Sequence, residues 1–361
     1  MTKPTLQTVA DLVGVSRSTA SNAYSRPDQL SPAMREKILT AARSLGYPGP
    51  NPIARSLRSG RVGAVGVLMA SPLAQAFTDP YAVLFMSGLA EAAEQNGSSL
   101  LLVPLSLDDG EAAIRAVRNA SVDGFCVYCV PDWHPTLAVI QSRGLPVVST
   151  EQRGDSGPET MFVGIDERAA AYSVATHVAA LGHRRVAVLS DYVVADRRTG
   201  PVQVPSLDDV QYRATRQRLR GFRDAFAEVG IGWADITVVN AETNTRAGGA
   251  AAAASVLDRA DRPTAVLACS DVLAFGVLDA LTPRRLHPGR DVSVTGFDGV
   301  PESVDAGLTT VSQRAADRGR LAGELLLDPP SDESSRRIVL PTELVVRAST
   351  GPVRPWRDGA E

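Results

Sequence analysis

From Val62 onward, compact apolar runs alternate with amphipathic stretches, and this alternation constrains the fold more than any other feature of the chain. The runs are Gly63–Met69, Ser99–Leu105, Gly124–Val130, Pro146–Thr150, Met161–Ile165, Arg185–Leu189, Ile236–Val239, Ala265–Ala268 and Val292–Gly296. Between them lie helical patterns at Tyr81–Asn96, Glu111–Ala120, Glu167–Leu181, Thr215–Val229, Arg246–Arg259 and Asp271–Leu281. A continuous apolar run reads as a strand buried on both faces, and strands separated by helices pair in parallel. The pattern predicts an α/β body of parallel sheets covered by helices. So many strands suggest two doubly wound lobes, with a ligand crevice at the carboxyl ends of the strands. The polar segment 191–212 reads as a loop beside the mouth of that crevice.

The first 47 residues follow a helical period instead. Leu6, Val9, Ala10, Leu12 and Val13 mark one helix, Gly14 breaks it, and Ser16 caps a second over residues 17–24. Ser31 starts a third, with Pro32 at its first helical position and Ile38, Leu39, Ala42 and Leu45 as its apolar face. The small Ala10 lets the second helix approach the first, and Gly14 supplies the tight turn of a helix-turn-helix. The second helix is polar on one face and rich in small residues, which suits a DNA major groove. Pro48, Gly49, Pro50 and Pro52 then punctuate a linker. The segment Ile53–Arg58 has room for one or two helical turns, too few to offset helix nucleation alone.

Charge divides along the same boundary. Residues 1–61 carry nine Lys/Arg against three Asp/Glu, while the rest carries 28 against 37, so a basic head precedes an acidic body. The head is therefore the part expected to meet a polyanion. No stretch approaches the roughly 20 apolar residues of a membrane helix. The amino terminus has no long apolar signal region, and three cysteines do not make a disulfide framework. These features lead us to expect a cytoplasmic protein with no membrane contact.

The segment from Thr5 to Leu68 resembles the lactose- and purine-repressor family of bacterial transcription regulators. It carries TLQTVADLVGVS, the STAS of the second helix, REKILTAARSLGY and the hinge sequence ARSL. The resemblance continues in GHRRVAVL (182–189), RLRGFRDAF (218–226), CSDVLAFGVLDAL (269–281) and VSVTGFD (292–298), and so covers about residues 5–347. It implies a helix-turn-helix domain at 1–48, a hinge at 49–61 and a two-lobed effector-binding and dimerisation body at 62–347. The body would have the periplasmic-binding-protein architecture, its lobes at 62–165 with 297–325 and at 166–296 with 326–347, followed by a loose tail at 348–361.

The resemblance also implies site residues. Arg17, Ser18 and Asn22 face base edges, with Arg17 suited to a bidentate contact to guanine. Ser16, Thr19 and Ser21 contact phosphates, and Thr5, Leu6 and Ser31 join the DNA face. Ser16 equally reads as a helix cap and Thr19 as a packing residue. In the hinge, Leu57 matches a leucine wedged into a minor-groove base step, with Ala54 as its small neighbour and Arg55 and Arg58 beside it. In the crevice, Glu151, Arg218, Asp271 and Asp298 suit a hydroxyl-rich ligand, with Leu73 and Phe77 as an apolar wall. Asp271 reads equally well as the cap of its own helix, and Arg218 as a partner of Asp224 or Glu228. The family pattern is broken by Glu151-Gln152 after the run Pro146–Thr150, by Asp298-Gly299, and by the 191–212 insertion.

Together these readings describe a homodimeric repressor of a near-palindromic operator that responds to a small polar effector, a sugar as first choice. No cofactor or metal is expected. Cys126 and Cys129 form a C-x-x-C inside a strand-like run, where an odd separation sends them to opposite faces. GDSGP (154–158) lacks a histidine motif to make it a nucleophile, and no glycine-rich nucleotide loop follows the first strand. An enzyme is therefore disfavoured. A transporter's solute receptor is disfavoured by the basic head, and a regulator that has lost ligand sensing stays open.

Overall fold

A computed structural model of the chain describes residues 3–50, 60–70, 73–151, 160–194 and 198–354. The hinge positions Ala54, Arg55, Leu57 and Arg58, the Gln152-Arg153 pair and GDSGP lie outside the described residues. The chain divides into two compact units, residues 1–63 and 64–361.

The first unit is a three-helix domain: α1 (Leu6–Val13), α2 (Arg17–Ser25) and α3 (Pro32–Ser44). Each start has a local cause. The Thr5 and Thr8 side chains each accept the other's backbone N–H at 3.3 Å, a reciprocal cap. Ser16 Oγ accepts from Thr19 N at 3.0 Å, and Ser31 Oγ from Met34 N at 3.3 Å. Gly14 ends α1 at φ 77°, a left-handed turn that favours glycine. The small core joins Leu6, Val9, Val13 and Ile38 with Ala10, Ala20, Ala23 and Ala42. Leu12, expected on the apolar face, is exposed.

The second unit holds two parallel sheets. The first contains β1 (Ala64–Met69), β2 (Ser99–Pro104), β3 (Gly124–Tyr128), β4 (Val147–Ser149), β5 (Thr160–Gly164) and a returning strand, β12 (Arg337–Val339). Its order is β12-β5-β4-β3-β1-β2, and every pairing is parallel. The second contains β6 (Val186–Asp191), β7 (Gly200–Pro201), β8 (Thr237–Ala241), β9 (Ala265–Ala268) and β10 (Ser293–Thr295). Its order is β10-β9-β6-β8-β7, with only the edge strand β7 antiparallel. A two-stranded ribbon, β11 (Thr310–Ser312) with β13 (Glu343–Val345), accompanies the chain between lobes.

The helices that position the crevice are α4 (Leu73–Ala76), α5 (Pro80–Gln95), α8 (Glu167–Ala180), α9 (Arg213–Glu228), α10 (Arg246–Leu257), α11 (Asp271–Leu281) and α13 (Ala315–Leu327), with α6 (Gly110–Asn119), α7 (Thr136–Ser142) and α12 (Glu302–Asp305) elsewhere. All nine apolar runs became strands. Their carboxyl ends meet between the lobes, as the doubly wound pattern requires.

Three expectations are corrected. The segment 326–347 was placed in the second lobe, but its strand β12 completes the first sheet beside β5. The tail is not loose through residue 354: Ser349 O accepts from Val294 N at 2.8 Å, and Val353 N donates to Leu181 O at 2.9 Å. The insertion is not a bare loop either. It lengthens β6, adds β7, and buries Val193, Val202, Val204, Leu207 and Val210 in the core. Its valines alternate with polar residues over too short a span to read as a strand from sequence.

Helices α5 and α13 cross where neither can carry a side chain. A Cβ on Gly88 would lie 1.9 Å from Ala316 O, and one on Gly319 would lie 1.9 Å from Phe85 O. Because the clash is with backbone, no rotamer change relieves it. Gly319→Ala is expected to lower unfolding free energy by about 1–3 kcal/mol, the usual cost of overpacking. Urea denaturation followed by circular dichroism checks this.

Candidate functional site

The head presents the amino-terminal turn of α2 outward. Ser16, Arg17 and Ser18 are exposed, while Thr19, Ser21 and Asn22 are half-buried. Ser16 Oγ lies 2.8 Å from Ser18 Oγ and 2.7 Å from Thr19 Oγ1, so its capping role is local and satisfied. Asn22 Nδ2 donates to Gln29 Oε1 at 3.2 Å, which orients the amide on the exposed side. Thr5 and Ser31 are exposed caps of their own helices. Leu6 is a correction: it is a core residue of the head, since the first turn of α1 must bury it. Lys37 Nζ reaches Val13 O at 3.4 Å and Arg35 Nε reaches Ala23 O at 3.4 Å, placing positive charge at the ends of α1 and α2.

In the body, a cavity of about 150 Å³ lies between the two sheets. Of the residues expected there, Glu151, Arg218 and Asp298 line it. Arg218 lies within α9. Its Nε donates to Glu167 Oε2 at 2.7 Å, an Nη donates to Cys269 O, and its guanidinium lies 4.0 Å from the Phe297 ring centre. Burial works against its charge, but the Glu167 carboxylate more than offsets this and raises its pKa. Asp224 instead bonds Arg168 and Arg223, and Glu228 bonds Tyr172.

Asp271 does not line the cavity, which corrects its placement as a ligand group. Its Oδ1 accepts from the Thr310 hydroxyl and its Oδ2 from Val300 N at 2.9 Å. Its own N–H donates to Asp298 Oδ2 at 2.8 Å, so the two aspartates brace the crossover between lobes. Ser270, and not Asp271, caps α11 through Leu273 N at 3.2 Å. Burial raises the carboxyl pKa of Asp271; burial and the neighbouring Asp271 charge together raise that of Asp298. Leu73 and Phe77 are the other corrections. The helical turn of α4 directs Gln75 and Ala76 to the cavity, leaving Phe77 exposed and Leu73 half-buried outside the lining.

The remaining lining was not foreseen. Asp79 caps α5 through Tyr81 N at 3.0 Å and accepts from Asn244 Nδ2 at 3.2 Å across the crevice. Gln75 Nε2 donates to Asn244 O at 3.0 Å, so Asn244 ties the second lobe to two groups of the first. Asp132 and Arg216, 3.2 Å apart, make a further tie. Buried Arg318 donates to Tyr81 OH at 2.7 Å, to Val163 O at 3.3 Å and to Thr150 O. Asp191, Tyr192 and Tyr212, all from the insertion, complete the wall with Tyr128 and Cys129. Asp191 ends β6 and Asn244 follows β8, so both stand at carboxyl ends of strands, where a doubly wound sheet faces its crevice. Cys129 lies beyond the end of β3 at φ 48°, so the C-x-x-C pair does not share a strand. Its thiol opens to the cavity, and burial within the surrounding protein raises its pKa.

Comparison with known proteins decides what these parts belong to. Residues 5–51 match the model described as bacterial regulatory proteins, lacI family, and residues 175–350 match a periplasmic binding protein-like domain. An HTH-type transcriptional regulator of Mycobacterium tuberculosis is 42% identical over 354 residues, covering 97% of this chain and 98% of that one. The chain belongs to the LacI family of bacterial regulatory proteins. A LacI-family regulator from Corynebacterium glutamicum has a crystal structure 32% identical, covering 98% of this chain and all of that one, with a TM-score of 0.73. A CelR–cellobiose complex is 27% identical, covers 96% of this chain and 99% of that one, and has a TM-score of 0.66. As a LacI-family member the chain is a DNA-binding transcriptional regulator and not an enzyme. Among the described residues no helix is long and apolar enough to cross a membrane, and no cluster has metal-ligand character.

Burial pushes the Asp191 carboxyl up to about 6 from an ordinary 3.8. A carboxyl raised on folding makes the native chain bind more protons than the unfolded chain between those values, so stability falls as pH rises through the window. Asp191→Asn is expected to flatten this decline between pH 4 and 6 and to leave the protein more stable at pH 7. Urea midpoints measured across that range check the sign.

Proposed function

We propose that the chain is a homodimeric repressor whose affinity for a near-palindromic operator is set by a small polar effector, a sugar or sugar derivative, held between the lobes. The observation that carries this reading is the cavity: groups from both lobes converge on it, and Asn244 bonds Gln75 and Asp79 across it. A ligand filling that space acts directly on the closure of the lobes. Carboxylates and forked guanidinium donors each match paired hydroxyls, and the similar CelR has been captured with cellobiose.

Each head reads a half-site, with Arg17 and Ser18 directed to base edges and Ser16, Thr19 and Ser21 to phosphates. By family resemblance the hinge residues Ala54, Arg55, Leu57 and Arg58 then enter the minor groove, where Leu57 wedges a base step. Changes in lobe closure alter whether two hinges pair on DNA, which couples the effector site to the operator site.

Fluorescence anisotropy with an operator selected from random duplexes tests the reading. Arg17→Ala is expected to cost about 1–3 kcal/mol and to relax preference at one base pair in each half-site. Affinity should fall linearly with salt on a log–log plot. Unchanged sequence preference in Arg17→Ala would remove Arg17 as a base reader, and operator binding insensitive to every sugar tried would remove the effector reading.

A further inference from the structure

Among the described residues, four other than glycine have positive φ: Cys129, Tyr192, Arg285 and Arg314. Arg285 and Arg314 sit at helix caps. Cys129 and Tyr192 do not; each directly follows a central strand, β3 in one lobe and β6 in the other, and both line the same cavity. A bulky side chain in the left-handed region is strained, and such strain persists where the surroundings impose it and gathers at ligand sites.

Tyr192, at φ 50°, places its ring beside that of Tyr212, 5.0 Å between centres and tilted by 35°. The two rings belong to the two ends of the insertion and are half-buried, so they make one aromatic wall facing the cavity. Asp191, the last residue of β6, stands at the edge of this wall. Its carboxylate is held by its own backbone N–H and lines the same space. The charged and titratable groups that influence or flank it are Asp79 at the cap of α5, Arg218 from α9, the Cys269 thiol after β9, and the Tyr192 and Tyr212 phenols. Arg218 is already held by Glu167 and makes no hydrogen bond to Asp191, while Asp79 is itself a carboxyl whose charge pushes the Asp191 pKa further up.

We infer that the insertion builds a specificity subsite, in which Tyr192 and Tyr212 cover the C–H face of a ring-shaped hydroxylated ligand and Asp191 accepts its hydroxyl protons in hydrogen bonds. The inference rests on the reading of this cavity as the effector site and names the ligand class: a cyclic polyol or sugar, not an open-chain one. Aromatic faces match the flat C–H surface of such a ring, and a carboxylate offers acceptors to two adjacent hydroxyls. Hydroxyl donors favour the ionised carboxylate, so binding also releases a proton where free Asp191 is protonated.

Isothermal titration of the full-length protein with ribose, glucose and cellobiose, and with ribitol and sorbitol as open-chain counterparts, tests this. A ring sugar should bind more tightly than its alditol. Tyr192→Ala and Tyr212→Ala should each weaken it by about tenfold, the scale of one aromatic contact. Tyr192→Gly separates function from folding: it relieves the positive φ, so its melting temperature should equal or exceed that of the native chain while its affinity falls. Affinity of the native chain should rise with pH up to about 6 and then level, with a smaller slope in Asp191→Asn. Retention of ring-sugar affinity in Tyr192→Gly and Tyr212→Ala, with sugars still releasing operator DNA, would overturn the subsite and leave the effector reading intact. Absence of binding by every sugar in a protein that still binds operator would overturn both the subsite and the sugar effector.

Discussion

The interior of the body depends on one buried cation. Arg318 is carried by α13, the helix that returns to the first lobe after the chain has left it. Its guanidinium bonds Thr150 O after β4, Val163 O in β5 and the Tyr81 hydroxyl on α5. An unpaired guanidinium in this position would be prohibitive, so the charge holds three elements to one geometry. Burial opposes the charge and nearby Tyr81 and Glu167 favour it, leaving it firmly protonated. Tyr81 is pushed up to about 12 by its burial and remains a neutral phenol beside it. The close crossing at Gly88 and Gly319 is what brings Arg318 near enough to act.

That arrangement fixes the first lobe as one wall of the cavity and leaves closure to weaker ties. Asn244 meets Gln75 and Asp79 through single hydrogen bonds, and Asp132 meets Arg216 on a partly exposed pair. Bonds of this kind contribute about 1 kcal/mol each, so they can be exchanged for contacts to a ligand. The aspartates at 271 and 298 are of another kind. They are buried in the crossover and satisfied by backbone amides, the Thr310 hydroxyl and the Gln313 amide, which suits a pivot. A rigid pivot with exchangeable latches is the physical requirement for a two-state sensor.

Where the sequence was legible, the cause was local. Ser16 and Ser31 announced helix starts because a cap acts within three residues, and Gly14 announced a turn because its φ is positive. The apolar runs announced strands because burial on both faces demands continuous apolar sequence. Glu151 and Asp298 line the cavity because polar residues after a doubly wound strand tend to face the crevice, whereas Arg218 reaches it from the middle of α9. Leu73 and Phe77 were misplaced because a helical turn rotates its side chains by an angle that adjacency does not reveal. Leu6 was misplaced because the same residue can face DNA or core, depending on how three helices pack.

The sequence alone therefore determined the helix-turn-helix head, the α/β class of the body and the family to which the chain belongs, all of which rest on short-range patterns. Tertiary structure decided what joins across distance. It drew β12 back to the first sheet, pinned Ser349 to the second, and turned the insertion from a loop into a wall. The physical reason is that pairing across more than a hundred residues depends on which surfaces remain uncovered once the local elements have formed. The alternation that first defined the body fixes where a crevice must be, and the insertion between β6 and α9 determines much of what it presents to a ligand.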